Sequence, residues 1–266
     1  MQHAIYISDD TKKGETTEVT CHRYAEEGWE RTKVRIPSEM QLTLYVNGHE
    51  LVTILCTPFK LNCLVLGFLY AEGFITGLKD VVTMRVCEDD ALADVKLANV
   101  EMPLLKKRTL PTGCGGGAVF KTEVQKVDSN ICIAPEDVLS LMKKFQESME
   151  LYRISGGVHT SALADTHKLI IVAEDIGRHN TLDKIQGECL LTGIATKDRL
   201  ILTTGRISSE MLIKIGKMEV PVVVTRRSPT SGAISLADTL GITLIGHARG
   251  NRLTVYSHPE RLGVAP

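Results

Sequence analysis

No stretch of this chain is apolar for long enough to cross a bilayer. The longest apolar run, Cys63 to Ala71, falls well short of the ~20 residues a spanning helix needs. The start, Met1-Gln-His-Ala-Ile-Tyr-Ile-Ser-Asp, has no basic stretch followed by an apolar segment, so we expect a cytosolic protein with no membrane partner. One-sided charge is missing as well. Lys and Arg number 31 against 32 Asp and Glu, a net charge of −1, so nothing draws the whole molecule to nucleic acid. Any anion site has to come from basic residues gathered locally. Paired cysteines are absent too. The seven (Cys21, Cys56, Cys63, Cys87, Cys114, Cys132 and Cys189) are odd in number and form no C-x-x-C, which argues against a disulfide framework and a thiolate zinc site. Cys56, Cys63 and Cys189 sit among apolar neighbours and read as packing.

Three sharper motifs also fail. Gly113-x-Gly115-x-x-Ala118 has the form of a dinucleotide fingerprint but follows Arg108-Thr-Leu-Pro-Thr112 where a buried strand is required. Gly216-Lys217 is followed by Met218, so the hydroxyl of a Walker loop is missing. A zinc deaminase needs Glu two positions after His159, where Ser161 stands, and a Pro-Cys-x-x-Cys that no segment supplies. No catalytic zinc is expected.

What is present is ordinary globular material, 43% hydrophobic and 24% charged over 266 residues, enough for one large domain or two smaller ones. Its character changes near the middle. Between Val19 and Val100 the apolar residues alternate in short stretches, and Asn47-Gly48 between Leu44-Tyr-Val46 and Leu51-Val-Thr-Ile-Leu55 signals a hairpin. Pro58 to Gly73 reads as a helix on that sheet. The stretch Asn99 to Lys126 has no period and reads as a link. After Ala134 helices and strands alternate. Pro135 opens a helix with Val138, Leu141, Met142, Phe145 and Met149 on one face, a core stripe. Strands are expected at Lys168–Ala173, Arg199–Thr204, Pro221–Thr225 and Thr243–Gly246, with helices at Thr181–Leu191, Ser208–Lys217 and Ser231–Leu240 between them. Near-continuous aliphatic strands imply a largely parallel sheet covered on both faces, and Arg252–Ser257 follows Gly250-Asn251 closely enough to return antiparallel at its edge. The fold class is α/β, a three-layer α/β/α mixed sheet with a smaller N-terminal β-rich α+β domain. The expected division is residues 1–112, a cysteine-bearing linker loop at 113–133, and a C-terminal ligand-binding domain at 134–266.

If the four strands are parallel, the loops that leave them share one sheet edge, where open α/β folds bind ligands. Those loops carry Arg178, Arg206, Arg226, Arg227, Arg249 and Arg252, beside helix starts at Ser208 and Thr230-Ser231. Each arginine alone reads as solvated surface; together they favour a site for a phosphorylated ligand. His159 and His179 have small or polar neighbours and suit either proton transfer or a structural hydrogen bond; Asp175 and Asp183 suit orienting them or the ligand. Cys114 stands in Pro111-Thr-Gly-Cys-Gly-Gly-Gly-Ala118, with almost no side chains around it. That suits a thiol delivering something to a large partner and equally a flexible turn.

Five stretches together carry a resemblance: Gly67-Phe-Leu-Tyr-Ala-Glu-Gly-Phe-Ile75, Gly156-Gly-Val-His-Thr-Ser-Ala-Leu-Ala-Asp165, Glu174-Asp-Ile-Gly-Arg-His-Asn-Thr-Leu-Asp-Lys184, Thr203-Thr-Gly-Arg-Ile-Ser-Ser-Glu-Met211 and Ser228-Pro-Thr-Ser-Gly-Ala-Ile-Ser-Leu-Ala237. In their order, from about Ile36 to Leu262, they resemble the formate dehydrogenase accessory sulfurtransferases. The resemblance implies a cytosolic sulfur carrier with a cytidine-deaminase-like α/β/α core and a tendency to form homodimers. It would take sulfur from a cysteine desulfurase as a persulfide on Cys114. It would pass it to a client, the molybdenum cofactor with two guanine dinucleotides, in service of the formate dehydrogenase catalytic subunit; a free guanine nucleotide could mimic that client. His247-Ala248-Arg249-Gly250-Asn251-Arg252 matches the family's cofactor-binding segment, and Arg178, His179, Arg206 and Arg226 are expected to join it. Gly117 stands where many relatives have a second cysteine, so the loop holds no internal disulfide partner. Two other classes remain open at this stage: a non-catalytic nucleotide or cofactor chaperone, and a hydrolase using Cys114 with His159 or His179 as base.

Overall fold

A computed structural model describes residues 4–6, 15–98, 109–110 and 124–264. The Cys114 loop lies outside them. The chain enters through β1 (Ala4–Tyr6) and a long antiparallel pair, β2 (Thr16–Ala25) and β3 (Gly28–Pro37), which forms a sheet of its own. The hairpin signal at Asn47-Gly48 is met by β4 (Met40–Val46) and β5 (His49–Cys56). Both turn residues have positive φ, 50° and 79°, the mirror-image geometry that matches strand twist in a two-residue turn. Two further strands, β6 (Val81–Cys87) and β7 (Leu92–Leu97), and the short β8 (Thr109–Leu110) complete a sheet in the order β1-β6-β7-β4-β5-β8. The stretch read as a link therefore gives one piece, β8, to this sheet, parallel to β5.

Helix α1 (Leu61–Ala71) starts later than Pro58, because Lys60 at its N-cap is in the left-handed region with φ 51°. It is buried almost all round. One side packs on the first sheet through Leu61, Leu64, Val65, Phe68 and Leu69, and the other meets a helix of the second half.

That half is the expected three-layer arrangement. Its elements are α2 (Pro135–Glu147), α3 (Glu150–Ser155), β9 (His159–Ala164), β10 (Leu169–Asp175), α4 (Arg178–Thr192), β11 (Leu200–Thr203), α5 (Ser209–Lys217), β12 (Val222–Thr225), α6 (Ser231–Leu240), β13 (Thr243–Arg249) and β14 (Arg252–Ser257). The sheet order is β10-β9-β11-β12-β13-β14. Helix α2 covers one face through Val138, Leu141, Met142 and Phe145, while α4, α5 and α6 cover the other through Leu182, Ile185, Met211, Ile215 and Ala237. As expected, β14 returns antiparallel to β13 at the edge. Residues 124–133, part of the expected linker, run along this half: the Val127 N–H donates to the Leu240 carbonyl and the Ile133 N–H to that of Arg261.

The sheet is less parallel than the aliphatic runs suggested. Only β11, β12 and β13 are paired in parallel; β9, a strand the sequence reading missed, lies antiparallel between β10 and β11. Its residues His-Thr-Ser-Ala-Leu-Ala lack the β-branched and aromatic enrichment that marks strands. It is an interior strand, with Thr160 to Ala164 buried, and small residues fit where helices press on both faces. The Ser161 hydroxyl lies 2.7 Å from Thr181 Oγ1 and 3.0 Å from Thr203 Oγ1, so its burial leaves no orphaned group. Two antiparallel steps restore direction, so β10 still runs with β11, β12 and β13.

The two halves are joined through α1 and α4. A Cβ on Gly67 would lie 1.8 Å from the Asp183 carbonyl oxygen, and one on Gly187 would lie 1.9 Å from that of Cys63. Beside this crossing lies a polar cluster. The Asp175 and Lys184 side chains are fully buried and 2.7 Å apart. Thr57, at the end of β5, donates its N–H and hydroxyl to Asp175 Oδ2 at 3.1 and 2.9 Å and accepts from Lys184 Nζ at 2.9 Å. Lys60 reaches Glu188 at 2.5 Å, and Lys217 donates to the Ala71 carbonyl. No helix among the described residues is long and apolar enough to cross a membrane.

Candidate functional site

Because β10, β11, β12 and β13 point the same way, the loops after them do share an edge. They enclose a cleft of about 670 Å³ lined by Arg178, Arg206, Arg226, Arg227 and Arg249, together with His159, Thr204 and Gly205. The missed strand supplies His159: β9 runs the other way, so its first residue lies at the edge where its neighbours end, opposite Asp175. Tyr152, Gly156, Gly157 and Val158 line the cleft as well, none of them expected from the sequence as a site residue. The signal for this part of the lining was the pair Gly156-Gly157 just past the α2 stripe, which closes the short helix α3: Gly156 has φ 67° and its N–H donates to the Tyr152 carbonyl at 2.7 Å.

Local chemistry holds each loop in place. Asp175, the last residue of β10, accepts from the Gly177 N–H at 2.8 Å and from Asn180 Nδ2 at 2.7 Å, which starts α4 and sets Arg178 in its first turn. Thr203 Oγ1 accepts from the Gly205 N–H at 3.2 Å. The Thr225 hydroxyl donates to the Gly205 carbonyl at 2.6 Å and accepts from the Arg227 N–H at 3.1 Å, tying the Arg206 loop to the Arg226-Arg227 loop. Ser208 and Thr230 cap α5 and α6 through the N–H groups of Met211 and Ala233 at 3.4 and 3.3 Å. Three helix N-termini therefore open at this edge, adding partial positive charge to five guanidinium groups. Electrostatically the cleft accepts anions, and the forked donors of arginine fit phosphate oxygens pairwise.

The expected ligand-binding segment is divided by the fold. Among its residues Arg249 lines the cleft; His247 and Ala248 form a bulge in β13, with φ 52° at His247 and Ala248 in the core against the α2 layer. Gly250 and Asn251 make the turn, Gly250 with φ 59°, and Arg252 starts β14 opposite Arg249 outside the cleft lining. His179 does not line it either. Its Nε2 lies 3.4 Å from Glu210. Asp183, thought able to orient a histidine, is instead held by Lys214 Nζ at 2.7 and 2.8 Å. Among the described residues no three His, Cys, Asp or Glu side chains are grouped so as to hold a metal ion. Burial pushes the Cys56 and Cys189 thiols up to about 12, so neither is a nucleophile near neutral pH. Cys114 lies outside the described residues.

Both histidines are poor bases here. Burial, then Arg178, push His159 below its ordinary value; Asp175 pulls the other way, and Arg227 adds a smaller push down. Burial, then Lys214, Arg178 and His159, push His179 down to about 3. An unfolded histidine protonates near 6.5, so between about 6.5 and about 3 the unfolded chain binds the proton and the folded chain does not. Stability is therefore intact above about pH 6.5 and is lost as the pH falls, by roughly 2 kcal/mol at pH 5 from His179. Urea unfolding at pH 8 and pH 5 should show this loss, and His179→Gln should remove most of it. An unchanged pH dependence would mean that His179 titrates normally.

The arrangement agrees with three kinds of similarity. The FdhD/NarQ family profile matches residues 37–263. Among curated proteins, the chain is 41% identical to the sulfur carrier protein FdhD of Bacillus subtilis over 90% of its own length and 95% of the relative's. It is 40% identical to that of Bacillus licheniformis over 94% of its length and 98% of the relative's. Among solved structures, a candidate formate dehydrogenase accessory protein from Desulfotalea psychrophila superposes with a TM-score of 0.79 at 24% identity, covering 93% of this chain and 99% of that one, a likeness of fold. With a profile spanning residues 37–263 and near full-length relatives at this identity, the chain belongs to the FdhD/NarQ family.

Proposed function

We propose that this chain is a sulfur carrier serving formate dehydrogenase. It takes sulfane sulfur from a cysteine desulfurase onto Cys114 and hands it to a molybdenum cofactor whose guanine dinucleotide pyrophosphates sit in the arginine cleft. The observation that carries the reading is the cleft: five arginines at the ends of four strands converge beside three helix N-termini, an arrangement suited to a ligand with several phosphates. The relatives named sulfur carriers support the other half of it.

The chemistry balances. The Cys114 thiolate attacks the outer sulfur of the desulfurase persulfide; one S–S bond forms, one breaks, and the desulfurase thiolate leaves, with no net electron transfer. Releasing the outer sulfur as sulfide takes two electrons, which two thiols supply by becoming a disulfide, leaving Cys114 as the thiol. The arginines take no part in electron flow; they hold the client and shield its charge. Incubation with a desulfurase and cysteine is expected to add the mass of one sulfur atom to Cys114. Cys114→Ser should abolish the gain, and Cys132→Ser, which removes an exposed thiol, should not. A gain in mass that survives Cys114→Ser would refute Cys114 as the carrying residue, and no gain in the wild type would favour a cofactor chaperone.

A further inference from the structure

The arginines account for one end of a ligand only. A nucleotide also has a planar base, which needs an apolar face beside the phosphate site. Among the described residues that line the cleft, Tyr152 is the one with a phenol or phenyl ring, and it is 44% exposed. An exposed tyrosine on a wall otherwise made of Gly156, Gly157 and Val158 is unusual, because glycine adds no side chain to cover the ring.

The ring's backbone is fixed from both ends. The Glu174 carboxylate accepts from the Leu151 and Tyr152 N–H groups at 2.7 and 3.0 Å, and from the Thr160 hydroxyl at 3.0 Å. At the other end of the short helix, the Tyr152 carbonyl accepts from Gly156. Leu151, next to it, is buried, so the helix has an anchor in the core while Tyr152 faces out. Gly157 packs so closely on Pro37 that a Cβ there would lie 2.8 Å from Pro37 Cγ, which fixes the wall against β3. Glu174 is not in the cleft lining, so its carboxylate holds the wall in place without adding negative charge where the phosphates go.

We infer that Tyr152 is the platform on which the base of the cleft's nucleotide stacks, with Glu174 as the residue that positions it. This rests on the cleft binding a nucleotide, as proposed above. Stacking on a ring with two side-chain torsions, carried on a backbone held at both ends, costs little ordering entropy, and it tolerates any purine, since every base has a π face. Tyr152 therefore adds affinity for the base, while the arginines supply the affinity for phosphate.

Calorimetric titration with GDP and with inorganic pyrophosphate separates the two contributions. Tyr152→Ala is expected to weaken GDP binding about tenfold, within the range of a single base–aromatic stack, and to leave pyrophosphate binding unchanged. Tyr152→Phe keeps the ring and should keep GDP affinity within about twofold. Arg249→Ala should weaken both ligands. Undiminished GDP binding by Tyr152→Ala, or an equal loss for pyrophosphate, would overturn the platform while leaving the phosphate cleft standing. Failure of the wild type to bind either ligand would overturn the cleft assignment and this inference with it.

Discussion

Replacing Gly187 with alanine should destabilise the protein by about 3 kcal/mol or more. The direction is informative, because the same change in an open helix interior would stabilise by about 1 kcal/mol. Here the new Cβ would lie 1.9 Å from the Cys63 carbonyl oxygen and 2.6 Å from its carbonyl carbon. Those are backbone atoms of α1 and cannot rotate away. Gly67 makes the reciprocal contact with Asp183, so the two helices cross antiparallel, each with a missing side chain where the other's backbone passes. A methyl group at either position has to separate the helices, and α1 carries the core of the first sheet with it. For a chain of this size the loss corresponds to a fall of roughly 10 °C in Tm. Gly77→Ala is the control: its φ is 174°, extended backbone open to any residue, and nothing lies within 4 Å of the added carbon. A melt of Gly187→Ala within about 2 °C of the wild type would show that the crossing is looser than described.

The second large effect concerns the charge pair between the halves. Lys184→Met should cost about 3–5 kcal/mol, because it leaves the Asp175 carboxyl group fully buried and without its cation. The Thr57, Gly177 and Asn180 donors would remain, at 2.7 to 3.1 Å, but they are neutral and do not cancel the charge. Changing both residues, Asp175→Asn with Lys184→Met, removes the orphaned charge and should recover at least half of the loss. Urea midpoints at constant slope read both effects. If the double variant were no better than the single one, the cost would be lost packing rather than lost pairing.

That pair shows where the sequence was legible and where its meaning changed. Glu174 to Lys184 stood out as a motif, and its composition of Asp, Arg, His, Asn and Lys reads as active-site chemistry. In the structure its parts have different tasks. Asp175, Asn180 and Lys184 bind the second half to Thr57 and to the Leu55 carbonyl of the first, Asp183 holds Lys214, and of the stretch only Ile176 and Arg178 line the cleft. A polar side chain states what it can bond to, but not which way it points. On a helix packed on both sides, as α4 is, there is no solvent face to let polarity reveal direction.

The alternation of aliphatic strands and amphipathic helices was enough by itself to determine the layered second half, its antiparallel edge strand, and the gathering of arginines at one sheet edge. These follow from local periodicity and from the rule that parallel strands end together. Asn47-Gly48 determined its hairpin by backbone preference alone. Only the tertiary structure decided that β9 lies inside the sheet, between β10 and β11, since small residues are chosen there by the helices pressing on both faces and carry no strand signal of their own. It also decided that His159 belongs to the cleft while His179 and Arg252 do not, that Tyr152 lines the same cleft as the arginines, and that two glycines mark a helix crossing. Each of these depends on which distant segment comes to lie opposite, and local sequence pattern does not record that.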